Sequence, residues 1–202
     1  MDLIVISDPQ YVDNEADIIN QLFDAGLTRF HLRKPEWNIH QCIHLLQGID
    51  QAFHTNIALN QHHMLTDDFN IERLHYPERY RVNSGVIKWN DQKQKDYVLS
   101  TSIHDLAEIP LLDEFEYVFF SPVFNSLSKQ GYQGQVQEGF VLKKTDQQPK
   151  VIALGGLDET NLNKARKMNF DGVAILGAVW NTPSQAVVNF QRLNNIINNP
   201  ME

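Results

Sequence analysis

Two side chains that follow a short apolar run could bind an anion. His31 and Arg33 alternate with Leu32, so in a strand they share one side while Leu32 faces the other. An arginine that points into a protein cavity needs a partner, and either an anionic ligand or a carboxylate such as Asp8 would supply one. Because basic residues recur along these strand ends, the sequence favours an anionic ligand.

The segment 121–132 combines hydroxyl groups with a positive charge. Ser126 and Ser128 lie two residues apart, and Lys129 follows them directly. The Gln- and Gly-rich run continues to Gly139, which is long for a connection without secondary structure. Such a loop is typical of a lid that closes over a ligand, and the alternative is a polar surface loop without function.

Glycines follow two of the later apolar runs. Gly155 and Gly156 precede a predicted helix that we expect Asp158 to cap, and Gly177 follows the last run. Glycine lets the backbone approach a bound group, and the N–H groups at a helix start attract anions. A Gly-Gly pair alone is more often a turn, but the two loops together predict a phosphate site.

The 8 histidines raise the question of a metal site. His62 and His63 are adjacent, so their side chains would diverge. His31, His75 and His104 lie near predicted strand ends and could converge. No matched carboxylate or cysteine accompanies them, and we expect no dedicated zinc site.

Short apolar runs recur at the spacing of a strand plus a helix. Amphipathic patterns predict helices over 15–25, 37–53 and 187–197, whereas 76–96 has no clean helical period and predicts a short or irregular crossover. The alternation predicts an α/β fold, a single (β/α)8 TIM barrel in one domain over 1–202. An open doubly wound sheet ranks second, because apolar runs near both ends favour closure. The runs are 3–6, 30–32, 57–59, 74–75, 97–99, 117–120, 151–154 and 172–176.

Composition narrows the class of partner. The 202 residues include 17 Lys and Arg against 25 Asp and Glu, a net charge of −8 that repels nucleic acid and anionic lipid. The single cysteine, Cys42, excludes a disulfide framework. No apolar run approaches the roughly 20 residues needed to span a membrane, and no secretory signal opens the chain. We therefore expect a soluble, cytoplasmic protein that acts on small molecules.

Several segments resemble motifs of the thiamine phosphate synthase/TenI family, and the resemblance covers nearly the whole chain. The most specific match is 121–129, where Ser-Pro-Val-Phe-Asn-Ser-Leu-Ser-Lys resembles Gly-Pro-x-Phe-x-Thr-x-Thr-Lys. The segment 30–34 resembles the Gln-x-Arg-x-Lys strand, with His31 in place of Gln. Further matches are 4–8, 59–61 (Asn-Asp-Arg), 74–75 (His-Leu-Gly-Gln), 100–104 (Gly-x-Ser-x-His) and the glycine loops at 155–156 and 174–178.

Synthases of this family act in thiamine biosynthesis and join an aminopyrimidine diphosphate to a thiazole phosphate, releasing pyrophosphate. The resemblance implies the same transferase activity here, with Arg33, Lys129 and Ser102 at the reacting centre. It implies that the diphosphate is held by Arg33, Lys34, Asn60 and Lys129. Further substrate contacts are implied for His31, His104, Ser126, Ser128, Gly156 and Gly177. By analogy of fold, the chain is expected to form a homodimer.

Magnesium (Mg2+) is the cofactor that the resemblance implies, but the sequence departs from the family at both acidic ligand positions. Gln61 stands where the family has Asp, and Glu78 lies near the second acidic position without matching it. Magnesium prefers carboxylates to amides, so the ligand would come from Asp8, Asp67, Asp68 or Glu78. Otherwise the basic side chains act without the ion.

Two other functions fit the resemblance. The TenI branch is a thiazole tautomerase that does not need the diphosphate site. Its catalytic histidine aligns with Ser121, so His31 or His104 would have to move the proton. A non-catalytic protein that binds a phosphorylated ligand is the third reading. The loop 121–129 resembles the synthase form more closely, which places the synthase first.

Overall fold

The computed structural model describes residues 1–125, 139–145 and 148–199, and eight parallel strands in them form a closed barrel in chain order. Each predicted apolar run coincides with a strand, except that Tyr97 precedes the fifth strand and Leu176 follows the eighth, and the barrel is confirmed. The open sheet is wrong, because the first strand pairs directly with the last, with Leu3 opposite Val173. The strands are β1 Asp2–Ile6, β2 Phe30–Leu32, β3 Ile57–Leu59, β4 Arg73–Tyr76, β5 Val98–Ile103, β6 Tyr117–Phe120, β7 Lys150–Leu154 and β8 Gly172–Ile175.

Helices and turns form the outer layer. The apolar face of the strands packs against them in one large cluster, to which Phe30 and Leu32 belong. The helices are α1 Glu15–Asp24, α2 Ile39–Gly48, α3 Thr66–Phe69, α4 Glu78–Gln94, α5 Leu162–Lys167, α6 Gly177–Trp180 and α7 Ala186–Asn198. Shorter 3₁₀ turns span Gln51–Asn56, His63–Leu65, Leu106–Leu111 and Pro183–Gln185. No helix in the described ranges is long and apolar enough to cross a membrane.

Helix α4 corrects the prediction of a short, irregular crossover after β4. It is the longest helix among the described residues, at 17 residues, and Pro77 immediately precedes it. Trp89 is buried and its ring lies 4.5 Å from that of Tyr76 and 5.5 Å from that of Phe115. One large aromatic anchor therefore contributes packing that a continuous apolar stripe would supply in a regular amphipathic helix.

Two helix boundaries also differ from the prediction. Helix α2 begins after Asn38, whose side chain accepts a hydrogen bond from the Gln41 N–H in a capping box, and it ends at Gly48 rather than continuing to 53. Asp158 does not cap α5. Its carboxylate accepts from the N–H and hydroxyl of Thr160, which closes a turn ahead of the helix.

The inner face of the barrel is partly polar. A small apolar cluster that includes Ile4 and Phe119 fills part of it. His31 and His75 are also buried there, with ring centroids 5.1 Å apart. Because β2 alternates, His31 points inward while Phe30 and Leu32 point outward, as the sequence predicts. The polar interior leads directly to the carboxyl ends of the strands.

Candidate functional site

The backbone of Arg33 is fixed where β2 ends. The hydroxyl of buried Ser7, just after β1, donates to the Arg33 carbonyl at 3.0 Å and accepts from the Arg33 N–H at 2.8 Å. The ends of β1 and β2 are thereby joined at the carboxyl-terminal mouth of the barrel. This is the edge at which barrels of this class build their sites.

The guanidinium of Arg33 has no carboxylate within 4.0 Å in the part of the chain that the structure describes. Burial lowers the pKa of Arg33, and the positive charge of nearby Arg79 lowers it further. Arg79 lies in the first turn of α4, where its guanidinium stacks 4.7 Å from the ring of Tyr80. Two arginines that repel each other, neither with a carboxylate within 4.0 Å among the described residues, indicate a place for an anion. The sequence does not predict Arg79 as a site residue, because a single arginine early in a helix has no local pattern that marks it as functional.

Asn60 is brought to the same interior by β3. Its Oδ1 lies 3.1 Å from Nδ1 of His31, and Nε2 of His31 lies 2.7 Å from the hydroxyl of Tyr117. His31 and Tyr117 are completely buried, and Asn60 is nearly so. The histidine that replaces the glutamine of the family motif therefore connects Asn60 to β6 on the far side of the barrel.

Ser102 is held by the second buried histidine. Nε2 of His75 lies 3.0 Å from the Ser102 hydroxyl, and Nδ1 of His75 lies 3.0 Å from the hydroxyl of Ser100. The two serines alternate with Thr101 along β5, so both face inward. Burial lowers the pKa of His75 and the positive charge of Arg33 lowers it further, so Arg33 lies near this histidine. The structure therefore brings four predicted residues together with His75: Arg33, His31, Asn60 and Ser102.

Both interior histidines are neutral. Burial lowers the pKa of His31 from its usual 6.5 to about 3, although its hydrogen bond to Asn60 opposes this. Burial also lowers the pKa of His75 well below 6.5, and the neighbouring His31 and His63 add to the effect. Neither histidine is suited to exchange a proton near neutral pH.

Acid should destabilise the protein through these histidines. Below pH 6.5 each of His31 and His75 binds a proton in the unfolded chain but stays neutral in the folded chain. As the pH falls, the free energy of unfolding therefore decreases by about 1.4 kcal/mol per pH unit for each histidine. Glu15, whose pKa is raised to about 7, opposes the trend. Urea unfolding of wild type and His31→Gln from pH 7 to pH 4 measures the slope. We expect His31→Gln to have the shallower slope, and equal slopes would contradict the assignment.

Lys34 is not brought into this group. Its ammonium is fully buried and donates at 2.6 Å both to Oε2 of Glu15 and to the carbonyl of Gln10, and it lies 4.4 Å from the ring centroid of Trp37. The net pKa of Glu15 is raised to about 7, because desolvation by burial outweighs the lowering effect of the hydrogen bond and charge of Lys34. Lys34, which follows Arg33 in the chain, thereby ties the loop after β2 to the loop after β1 through Gln10 and to the start of α1 through Glu15.

The glycine pair lies at the same mouth and packs against the loop after β6. Gly155 and Gly156 both have positive φ, of 98° and 65°. The Gly155 carbonyl accepts from the N–H of Phe124 at 3.1 Å, and the Gly156 carbonyl accepts from the Asn161 amide at 2.7 Å. The pair therefore fixes where segment 121–125 leaves the barrel, which is the start of the loop that carries the most specific motif.

Substitution of Gly156 tests this contact. A Cβ there would lie 2.5 Å from the Asn125 carbonyl oxygen and 2.7 Å from that of Phe124. Gly156→Ala should cost about 2–4 kcal/mol, from left-handed backbone strain plus overpacking. Gly139→Ala is the matched control, since Gly139 also has positive φ but no described atom lies within 4 Å of its Cβ position, so the change should cost only about 1 kcal/mol. Equal losses in urea unfolding would show that backbone strain alone is responsible.

The remaining predicted residues lie around the rim or outside the described ranges. His104 is exposed, with Nδ1 2.7 Å from the Ser121 carbonyl and Nε2 3.4 Å from the Glu78 carboxylate, so it does not converge with the other two histidines. Gly177 begins α6, which the indole of Trp180 ties to the Ile6 carbonyl at the end of β1. Ser126, Ser128 and Lys129 lie outside the described residues.

The acidic residues do not fit a magnesium site held by the protein. In the ranges the structure covers, no group of three or more His, Cys, Asp or Glu side chains is placed to hold a metal. Gln61 lies beside the Cys42 thiol on α2, and its buried Nε2 has no hydrogen-bond partner among the described residues. The Glu78 carboxylate faces His104, and the Asp8 carboxylate accepts from the Gln10 N–H.

Comparison with known proteins identifies the family. The family model described as thiamine monophosphate synthase matches residues 3–179. The chain is 24% identical over 195 residues to a thiamine-phosphate synthase of Lysinibacillus sphaericus, covering 89% of this chain and 88% of the relative. A second thiamine-phosphate synthase, from Staphylococcus haemolyticus, is 23% identical over 174 residues, with 81% and 80% covered.

Solved structures show the same fold. A thiamine phosphate pyrophosphorylase from Bacteroides thetaiotaomicron superposes with a TM-score of 0.74 at 24% identity, covering 100% of both chains. One from Pyrococcus furiosus gives a TM-score of 0.74 at 15% identity, covering 98% of this chain and 95% of that one. Because the family model spans all eight strands, the chain belongs to the thiamine monophosphate synthase family.

Proposed function

We propose that this chain is a thiamine phosphate synthase, a transferase that joins an aminopyrimidine diphosphate to a thiazole phosphate and releases pyrophosphate. The observation that carries the proposal is the pair Arg33 and Arg79 at the barrel mouth, close enough to repel and without a carboxylate partner among the described residues. An anion with several charges would relieve this repulsion. Membership of the family gives that anion its identity, the diphosphate of the aminopyrimidine.

In the proposed reaction, the bond between the pyrimidine methylene carbon and the diphosphate oxygen breaks, and the thiazole nitrogen supplies the electron pair of the new carbon–nitrogen bond. Negative charge grows on the departing pyrophosphate. The positive charges of Arg33 and Arg79 stabilise this charge. Asn60 adds N–H donors to the same oxygens. No step requires a side chain to accept a proton, which suits the neutral, buried His31 and His75.

Stabilisation of the negative charge on the departing pyrophosphate is assigned to the two arginines and, by resemblance to the family, to Lys129. Magnesium is the ion that the resemblance implies, but Gln61 and Glu78 do not offer it a pair of free carboxylates. We therefore expect turnover to depend less on added metal than it does where two carboxylates hold the ion. Substrate roles for Lys34, His104, Ser126, Ser128, Gly156 and Gly177, one domain over 1–202, the homodimer and the cytoplasmic location stay predictions.

A turnover assay tests the function. Purified protein is given the aminopyrimidine diphosphate and the thiazole phosphate, first with magnesium and then with EDTA, and thiamine phosphate is quantified by chromatography. We expect product in both conditions. Product that disappears with EDTA would contradict the arginine assignment and point to Asp8 and Glu78. Tight binding of thiazole phosphate without product would contradict the synthase and leave a tautomerase or a non-catalytic binder.

A further inference from the structure

A continuous set of hydrogen bonds crosses the inside of the barrel and ends at two residues of the proposed site. It starts at Asn60, the residue after β3, and finishes at Ser102 on β5. All members except Ser102 are buried. In order, this interior chain consists of Asn60, His31, Tyr117, Ser100, His75 and Ser102.

The chemistry of Asn60 fixes the direction of the first half. Its Oδ1 faces Nδ1 of His31, and an amide oxygen can only accept a hydrogen bond. Nδ1 of His31 therefore carries the ring proton. Because His31 is neutral, its Nε2 is unprotonated and accepts the hydroxyl proton of Tyr117 at 2.7 Å.

The direction continues to the other end. The Tyr117 proton is donated to His31, so the Tyr117 oxygen can only accept from the neighbouring Ser100 hydroxyl. The Leu74 carbonyl, 3.4 Å from the Ser100 Oγ, is a second acceptor for the same proton, and in either case Ser100 gives its only proton away from His75. Ser100 in turn accepts from Nδ1–H of His75 at 3.0 Å, so Nε2 of His75 is unprotonated. The Ser102 hydroxyl must then donate to that nitrogen, also at 3.0 Å.

The two ends consequently offer opposite groups to a ligand. Asn60 has turned its oxygen to His31, and its Nδ2 has no partner among the described residues, so its N–H donors are left. Ser102, the partly exposed end, has given its only proton to His75 and is left with oxygen lone pairs.

We propose that the interior chain makes Asn60 a hydrogen-bond donor to a phosphate oxygen and Ser102 an acceptor for an N–H group of the same substrate. His31, Tyr117, Ser100 and His75 are positioning residues in this proposal, because they act through the two ends. The identity of the substrate rests on the proposed function, since an aminopyrimidine diphosphate carries an anion at one end and an amino group on its ring. A ligand with an oxygen acceptor in place of the amine would be rejected at Ser102.

Nitrogen-15 NMR of histidine-labelled protein tests the direction without turnover. At pH 7 we expect both interior histidines to be neutral with the proton on Nδ1, their signals assigned with His31→Gln and His75→Gln. Ser100→Ala removes the acceptor of the His75 proton and should move that proton to Nε2. Thr101→Val is the matched control, because the Thr101 hydroxyl donates to the Tyr76 carbonyl instead. A proton on Nε2 of His75 in wild type, or an unchanged His75 in Ser100→Ala, would overturn the proposal.

Calorimetric titration of two probes tests the ends. Inorganic pyrophosphate reports on the Asn60 end, and the aminopyrimidine alcohol without its diphosphate reports on the Ser102 end. In Ser100→Ala we expect unchanged affinity for pyrophosphate and about fivefold weaker binding of the aminopyrimidine. Equal loss for both probes would overturn the assignment of the ends. If wild type binds pyrophosphate but not the aminopyrimidine while the tautomers are as expected, the proposed function fails and the direction of the chain stands.

Discussion

Arg33→Met should reduce the affinity for inorganic pyrophosphate and the kcat/KM of the transferase by at least about 100-fold, without loss of stability. The guanidinium is partly buried beside Arg79 and has no carboxylate within 4.0 Å among the described residues, so its removal leaves no buried charge unpaired. It also removes a repulsion. Calorimetric titration of pyrophosphate and thermal unfolding measure the two effects on the same protein.

Arg73→Met is the matched control for this experiment. Arg73 begins β4 at the opposite end of the barrel, where its guanidinium lies 3.4 Å from the Glu116 carboxylate. Its loss should leave pyrophosphate binding unchanged. If Arg33→Met instead bound pyrophosphate normally and lost several kcal/mol of stability, Arg33 would be a structural residue and the proposed site would be wrong.

Lys34→Met should destabilise the protein by about 3–5 kcal/mol, because it leaves the Glu15 carboxyl buried without its partner. Oε1 of Glu15 already lacks a hydrogen bond in the described part of the chain. The double variant Lys34→Met/Glu15→Leu should recover most of this loss, since replacing a buried pair by apolar groups is often neutral. Urea unfolding of the single and double variants measures both.

The stability loss caused by Lys34→Met should depend on pH, which gives a second test of the Lys34–Glu15 pair. Without Lys34 the pKa of Glu15 rises further above about 7, so the deficit of Lys34→Met should be smaller at about pH 5, where Glu15 is protonated, than at about pH 8. Lys144→Met is the control, because Lys144 and Asp171 form a more exposed pair 2.7 Å apart whose loss should cost at most about 1 kcal/mol. An equal loss in Lys34→Met and Lys144→Met would contradict the burial argument.

The double variant also separates two roles of Lys34. A lysine whose donors are taken by Glu15 and the Gln10 carbonyl should be dispensable for pyrophosphate binding once stability is restored. Loss of binding in the stable double variant would instead support the diphosphate contact that the family resemblance implies.

The strands could be predicted because each is a short apolar run that alternates with polar segments, and pairing of the first and last strands follows from apolar runs near both ends. Helix α4 could not, since Trp89 anchors it through contacts with Tyr76 and Phe115, on elements before and after it. Hydrophobic periodicity depends only on residues within the helix. Tertiary packing replaced the local signal there.

In the site, too, local sequence predicts some features while others depend on tertiary contacts. The inward direction of His31 and Arg33 follows from strand alternation, a local property. The partner of His31 is Tyr117, 86 residues away, and the partner of Lys34 is Glu15, 19 residues before it. In the sequence, Tyr117 is an ordinary aromatic residue of a predicted strand, and Glu15 is an ordinary acidic residue in the first turn of a predicted helix. No local pattern distinguishes a tyrosine that packs from one that also donates a hydrogen bond, so only the closed barrel reveals these pairs.

Pairing of β1 with β8 has a consequence for how the chain folds during synthesis. Asp2 pairs with Gly172, so one edge of β1 has no partner until the chain as far as β8 has left the ribosome. A Cβ at 172 would lie 2.8 Å from the Asp2 carbonyl oxygen, which makes this last pairing intolerant of a larger residue. Nascent chains that stop before 172 expose open strand edges and are expected to aggregate or to recruit chaperones, whereas addition of β8 converts them to the closed form in one late step.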